Sequence, residues 1–139
     1  MSEIHDSELG GDLVKSVNEI YRKCEKTGAW YGVDISSFSQ RNVMGDTVLH
    51  TVCSWGELDA VKILVSAGAD VNAKGDKGGI PLFNAVVGES AEVVDFLLRS
   101  GADPGIPNEY GRLVLDYAKN VSAPLEVVKL LEKASSKRR

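Results

Sequence analysis

Glycine and apolar residues recur at an interval of 33 positions over the last two thirds of the chain. Five columns hold Gly45, Gly78 and Gly111; Leu49, Leu82 and Leu115; Val61, Val94 and Val127; Leu64, Leu97 and Leu130; and Val65, Leu98 and Leu131. The turn Gly68-Ala69-Asp70 returns as Gly101-Ala102-Asp103. Within each copy the apolar residues lie three or four positions apart, the spacing of one buried helix face. The sequence therefore predicts three copies of one helical unit.

Each unit is predicted to contain an inner helix, a tight turn, an outer helix and an extended turn, which we call a finger. We expect inner helices near residues 47–54, 80–87 and 113–120, and outer helices near residues 58–66, 91–99 and 124–133. Thr47 is placed to cap the first inner helix, and Pro81 fits the first turn of the second. Gly68 and Gly101 suit the left-handed residue that ends an outer helix.

A single unit cannot bury its own apolar face, so the copies are expected to stack on one another. Two packing positions of the outer helices hold Ala60 and Ile63 in the first copy, Val93 and Phe96 in the second, and Glu126 and Lys129 in the third. Charged side chains in those positions predict that the stack ends after the third copy.

The N-terminal part is less regular. Apolar residues on one face predict an amphipathic helix near residues 12–26, which we expect to act as a degenerate cap. Gly32 and Gly45 are 13 residues apart, whereas Gly68 and Gly78 are 10 apart, so the first finger is lengthened. The predicted organisation is a cap with this lengthened finger (1–41), three repeats (42–74, 75–107 and 108–134) and a basic disordered tail (135–139).

The period and the motifs G-D-T-V-L-H and G-A-D-V-N-A resemble the ankyrin-repeat family. The resemblance implies an all-α solenoid of stacked helix-turn-helix units with hairpin-like fingers, and a non-catalytic module that binds protein partners on its concave face. It also implies that His50 ties neighbouring finger backbones together. Thr47 and the glycines Gly45, Gly78 and Gly111 are expected to be structural.

On this pattern the partner-binding face comprises the finger tips and the exposed ends of the inner helices. The candidate residues are Val43, Met44, Asp46, Ser54, Trp55, Asp76, Lys77, Val87, Glu109, Tyr110, Arg112 and Asn120. Trp55 is either an interface anchor, as aromatic residues often are, or packs on the N-terminal cap. The three acids of the set favour a basic surface on the partner.

Charge is unevenly distributed along the chain. The net charge is −4, but residues 133–139 hold four basic and no acidic residues, so the remainder carries 12 basic against 20 acidic side chains. An acidic body disfavours nucleic acid and anionic membranes. The basic end is either a solvated terminus or a localisation or nucleic-acid signal. The N-terminus has no signal-peptide pattern, so we expect a cytoplasmic protein with reduced cysteines.

We find no residues that predict catalysis, a metal site or a cofactor. Cys53 follows His50 by three positions, but no third group is placed to orient a dyad. Two functions stay open: an inhibitor that neutralises a basic, nuclease-like toxin, as some small bacterial ankyrin proteins do, or a regulatory or adaptor protein that tethers a cellular or host factor. In either case we expect a monomer that forms a heterodimer with its partner.

Overall fold

A computed structural model of the protein describes residues 10–137. This part of the chain is helical and contains no β-strand. The α-helices are α1 (Gly11–Glu25), α2 (Val48–Ser54), α3 (Leu58–Ala67), α4 (Pro81–Val87), α5 (Ala91–Arg99), α6 (Val114–Asn120) and α7 (Leu125–Lys137). Two short 3-10 turns occur at Gly28–Trp30 and Asp76–Gly78. The predicted all-α solenoid is confirmed, and nearly all helix ends lie within one or two residues of the predicted ends.

The helices form two layers. The inner layer stacks α2, α4 and α6 in that order, and the outer layer stacks α1, α3, α5 and α7. Each inner helix also packs against the outer helix that follows it. In consequence α1 occupies the position of an outer helix whose inner partner is missing.

Local signals set several of the helix ends. Thr47 and His50 form a capping box at the start of α2, and Pro81 occupies the first turn of α4. Ser90 caps α5 by accepting a hydrogen bond from the Val93 N–H at 3.1 Å. Gly68 ends α3 with φ of 113°, a left-handed conformation that favours glycine.

The last helix differs from the prediction. It continues to Lys137, whereas we expect its end near residue 133, so residues 135–137 of the predicted disordered tail are helical. The physical reason is that the run from Lys133 to Lys137 contains no glycine and has replaced the Gly-Ala-Asp turn with residues that a helix tolerates.

The core follows the 33-residue columns. Val61, Val94 and Val127 are fully buried, as are Leu49 and Leu82 from the inner layer. Leu115 is half-buried because no further inner helix covers it. At the same end, Glu126 and Lys129 are exposed, whereas Ala60 and Val93 are buried against the next outer helix. The stack therefore presents a charged end at the third repeat.

The N-terminal cap is anchored by aromatic residues. Tyr21 of α1 is buried and meets the ring of Phe38 edge-on, with centroids 6.3 Å apart. Trp30 is completely buried, and its indole Nε1 donates a hydrogen bond to Thr51 Oγ1 of α2 at 2.9 Å. Since α1 also packs on α3, the cap closes both layers at this end.

Candidate functional site

Three fingers project from one edge of the inner layer, with tips at residues 43–46, 76–79 and 109–112. Gly45, Gly78 and Gly111 have φ of 95°, 73° and 75°, so the turn needs a left-handed residue at the same place in each finger. In the first finger Asn42 Oδ1 accepts hydrogen bonds from the backbone N–H groups of Met44 and Asp46, both at 3.0 Å. Asn108 does the same in the third finger, for residues 110 and 112.

The second finger is built differently. Gly75 stands where the other fingers have asparagine, and a Cβ on it would lie 2.7 Å from His50 Nε2 and still closer to the Asp46 carboxylate. In place of an asparagine side chain, Asp46 Oδ1 accepts a hydrogen bond from the Asp76 N–H at 2.8 Å. The first finger thus supplies a polar group that organises the second.

His50 fixes the same junction. Its Nδ1 accepts a hydrogen bond from the Thr47 N–H at 3.1 Å, and its Nε2 lies 2.9 Å from the Gly79 carbonyl oxygen. With Nδ1 accepting, Nε2 carries the proton and donates to Gly79. Burial lowers the pKa of His50, although the Asp46 carboxylate acts in the opposite direction, so the ring is neutral at physiological pH.

Further hydrogen bonds join the fingers in series. Arg41 donates from its guanidinium group to the carbonyl oxygens of Gly45 and Lys74, which links the first finger to the second. The Glu109 N–H donates to the Lys77 carbonyl oxygen at 2.9 Å and links the second to the third. Lys77 itself has φ of 55°, a left-handed conformation unusual for a lysine. The tips therefore belong to one hydrogen-bonded row.

Most of the predicted partner-binding residues lie on this exposed edge. The exposed members of the predicted set are Val43, Met44, Lys77, Val87, Glu109, Tyr110, Arg112 and Asn120, and the half-buried members are Asp46, Ser54, Trp55 and Asp76. Val43 and Tyr110 are 82% and 70% exposed, which is high for large hydrophobic side chains. The first and third tips thus present apolar side chains, with charged residues between them.

Trp55 is held by the cap. Its ring lies under the Lys23 ammonium of α1, 5.3 Å from the ring centroid, and Lys23 also forms a salt bridge with Glu57 at 2.7 Å. The indole is half-buried against the core. This position favours the packing alternative over that of a free interface anchor.

A notch of about 260 Å³ lies between the second finger and the inner helices. Its floor contains Phe83 of α4 and Tyr117 of α6, whose ring centroids are 5.6 Å apart, and Asn84 lies beside them. Asp46 and Asp76 contribute carboxylates to its rim. Phe83, Asn84 and Tyr117 are absent from the predicted set, because the notch depends on contacts between neighbouring inner helices.

The charge of the face is mixed. Asp46, Asp76 and Glu109 are balanced in large part by Lys77 and Arg112 on the same tips. The face is therefore less acidic than the three acids alone suggest, and its attraction for a basic partner is correspondingly weaker.

The remaining chemistry of the described residues is limited. Cys24 and Cys53 are free and buried; burial raises the pKa of the Cys24 thiol to about 12 and that of Cys53 further still. Within residues 10–137, no three His, Cys, Asp or Glu side chains are grouped so that they could hold a metal ion. The same part of the chain has no helix with the length and apolar character to cross a membrane.

Comparisons with known proteins agree with this architecture. A family model described as ankyrin repeats (3 copies) matches residues 24–108, more than half of the chain. The match begins at the end of α1, within the segment predicted as a degenerate repeat, and stops before α6. The α6–α7 pair lies outside the match but stacks on the second repeat in both layers.

Several curated proteins are similar to the chain over part of their length. Ankyrin repeat and SOCS box protein 16 of Mus musculus is 32% identical over 70% of this chain and 23% of its own length. BCL-6 corepressor-like protein 1 of Homo sapiens is 34% identical over 63% of this chain and 5% of its own length. The NF-kappa-B inhibitor cactus of Drosophila melanogaster is 41% identical over 42% of this chain and 12% of its own length. The chain thus spans less than a quarter of each of these relatives. Its sequence match and its stacked helix pairs place it in the ankyrin-repeat family, whose repeats are protein–protein interaction modules.

Proposed function

We propose that this chain binds one partner protein across its finger tips and inner helices, and that it does so as a regulator or adaptor. The observation that carries the proposal is the row of exposed tips, in which Val43, Met44 and Tyr110 offer apolar contact on a hydrogen-bonded backbone. A rigid backbone that presents exposed aromatic and aliphatic side chains loses little conformational entropy when it binds.

The neighbouring notch supports the same surface. Phe83 and Tyr117 give it an aromatic floor, and Asn84 with Asp46 gives it polar groups that can fix the orientation of a partner side chain. Aromatic side chains are enriched at the buried centre of protein interfaces, and polar groups lie at the rim. We therefore place the partner over the second finger, with the first and third tips on either side.

The names of similar proteins favour regulation over toxin neutralisation. The relatives are described as a corepressor-like protein, a SOCS box protein and an NF-kappa-B inhibitor. The acidic charge of the chain as a whole would favour an inhibitor of a basic toxin. The finger tips, however, combine three acidic with two basic side chains. The regulatory or adaptor role is accordingly our proposal, and toxin inhibition is an outcome that the experiment can return.

Affinity capture from the native lysate tests the face. We expect a stoichiometric partner to be retained by the tagged chain and to be lost when Met44 and Tyr110 are both replaced by alanine. Leu125→Ala is the matched control, because Leu125 is 66% exposed but lies at the end of the stack. Retention by the tip variant together with loss by Leu125→Ala would place the partner elsewhere. Identification of the captured protein as a basic nuclease would establish the toxin-inhibitor function instead.

We further propose a cytoplasmic monomer that forms a heterodimer with its partner. The two buried free cysteines are in keeping with a reducing compartment. Light scattering of the purified chain, and then of the captured complex, measures both masses. A homodimer of the isolated chain would contradict the monomer, and recovery of the native protein outside the cytoplasm on fractionation would contradict the location.

A further inference from the structure

A second groove, which we call the outer groove, lies between α5 and α7 and is formed by outer-layer residues. It has a volume of about 390 Å³. Its apolar lining comes from α5 and the turn after it, and from the facing side of α7: Leu98, Ala102, Pro104, Leu130 and Ala134. Because no inner helix or finger tip contributes to it, this groove is separate from the proposed partner-binding face.

The groove results from a departure from the repeat. Residues 133–137 correspond to residues 100–104 of the second repeat, where the chain leaves the outer layer through the turn Gly101-Ala102-Asp103. In the third repeat this turn is absent and α7 continues to Lys137, whereas α5 ends at Arg99. The last turn of α7 therefore lies beside the turn that follows α5, and the groove lies between them.

The rim of the groove is positively charged. Lys133 and Lys137 are exposed at its edge and form no ion pair within residues 10–137. The acid in the lining, Asp95, is already paired with Arg99 at 3.0 Å. Lys133 and Lys137 belong to the segment 133–139, which holds four basic and no acidic residues on an otherwise acidic chain.

We propose that the outer groove binds an acidic amphipathic segment of a partner protein. The apolar side chains of that segment would cover Leu98, Leu130 and Ala134, and its carboxylates would pair with Lys133 and Lys137. Charge complementarity selects this occupant: a basic segment would be repelled by the rim, and an uncharged one would leave the rim unused. The apolar lining distinguishes the site from a purely electrostatic patch, because burial of apolar surface supplies affinity that salt does not remove.

Fluorescence anisotropy with a labelled synthetic peptide, in which Glu alternates with Leu and Phe, tests the proposal on the full chain. We expect saturable binding that weakens but persists as NaCl is raised. Lys133→Glu should weaken binding by about tenfold, and the control Lys129→Glu, the same charge change one turn earlier on the same helix and outside the groove lining, by less than about twofold. Ala134→Glu should abolish binding, because the new glutamate side chain would lie in the groove. Circular dichroism shows whether each variant is folded.

Each of the following results would overturn the proposal. The first is equal weakening by Lys129→Glu and Lys133→Glu, which would mean a general charge effect. The second is equal binding of a peptide with every Glu replaced by Lys, or no saturable binding of either peptide. The third is tighter binding of a peptide of residues 1–9, which is itself acidic and contains Ile4 and Leu9; the groove would then receive the N-terminus of this chain.

Discussion

Replacement of Gly88 by alanine tests how closely the inner helices must approach one another. Gly88 follows α4 and has φ of −73°, which every residue adopts without strain. A Cβ at this position would nevertheless lie 2.5 Å from the Cys53 carbonyl oxygen, 3.0 Å from the Gly56 nitrogen and 3.1 Å from the Ser54 carbonyl oxygen. All three are backbone atoms at the end of α2, so rotation of a side chain cannot relieve the contact.

Two effects of opposite sign set the magnitude. An alanine in place of glycine at an unstrained position usually stabilises a protein by about 0.4–1 kcal/mol, because it restricts the unfolded chain. An extra methyl group in a tightly packed site costs about 1–3 kcal/mol, since the neighbours must move. Here α4 must move away from α2, and the core residues between them lose contact. We expect the second effect to dominate, with a net loss of about 1–2 kcal/mol in the free energy of unfolding.

Urea unfolding followed by circular dichroism measures this loss. With a slope of about 2 kcal/mol per molar urea, the midpoint should fall by about 0.5–1 M and the slope should not change. Val121 is the equivalent residue of the third repeat and is exposed because nothing stacks on it. Val121→Ala should therefore change stability by no more than about 0.5 kcal/mol. A Gly88→Ala protein as stable as the wild type would refute the reasoning, because it would show that the helices can separate without cost.

Three further predictions concern substitutions or titration at single residues. Glu89 has φ of 56° at the turn where the first repeat has glycine, so Glu89→Gly should raise the free energy of unfolding by about 0.5–1 kcal/mol; a lower melting temperature would contradict this. The pKa of His50 is lowered from 6.5 in the folded state, so as the pH falls the unfolded chain takes up a proton before the folded chain does. The contribution of neutral His50 to the free energy of unfolding should therefore be fully present above pH 6.5 and decrease below it. Urea midpoints that stay constant between about pH 7 and 5 would contradict neutral His50. Thr51→Val leaves the Trp30 indole N–H buried without its acceptor and should cost about 1–3 kcal/mol in urea unfolding, whereas a change below about 0.5 kcal/mol would show that the indole finds another partner.

The repeat architecture could be predicted because its signals are local and recur. The three finger glycines, the small-residue turns and the apolar columns each depend on a few neighbouring residues, and three copies reinforce one another. The ends of helices could be predicted where a single residue decides them, as at Thr47 and Pro81. The end of α7 was predicted too early because the basic end of the chain indicated a solvated tail, whereas residues 134–137 continue the helix.

The site could be predicted only in outline, since its details depend on contacts between distant residues. Trp30 meets Thr51 across 21 positions of sequence, and the Lys23–Trp55 contact joins the cap to the first repeat. Neither contact leaves a periodic signal. The role of Asp46 depends in the same way on a distant partner: its carboxylate accepts a hydrogen bond from the Asp76 N–H, 30 positions along the chain, and so helps to organise the second finger.

The two proposed surfaces arise from different parts of the repeat, and this makes them separable. The finger tips carry residues that packing does not constrain, so Tyr110 can change without disturbing either helix layer. The outer groove exists because α7 is longer than α5, and its charged residues, Lys133 and Lys137, lie on the outer layer. Lys133→Glu should therefore leave capture of the finger-tip partner unchanged, and Tyr110→Ala should leave peptide binding at the groove unchanged. If either substitution abolished both activities, the two surfaces would be parts of a single interface that wraps around the third repeat.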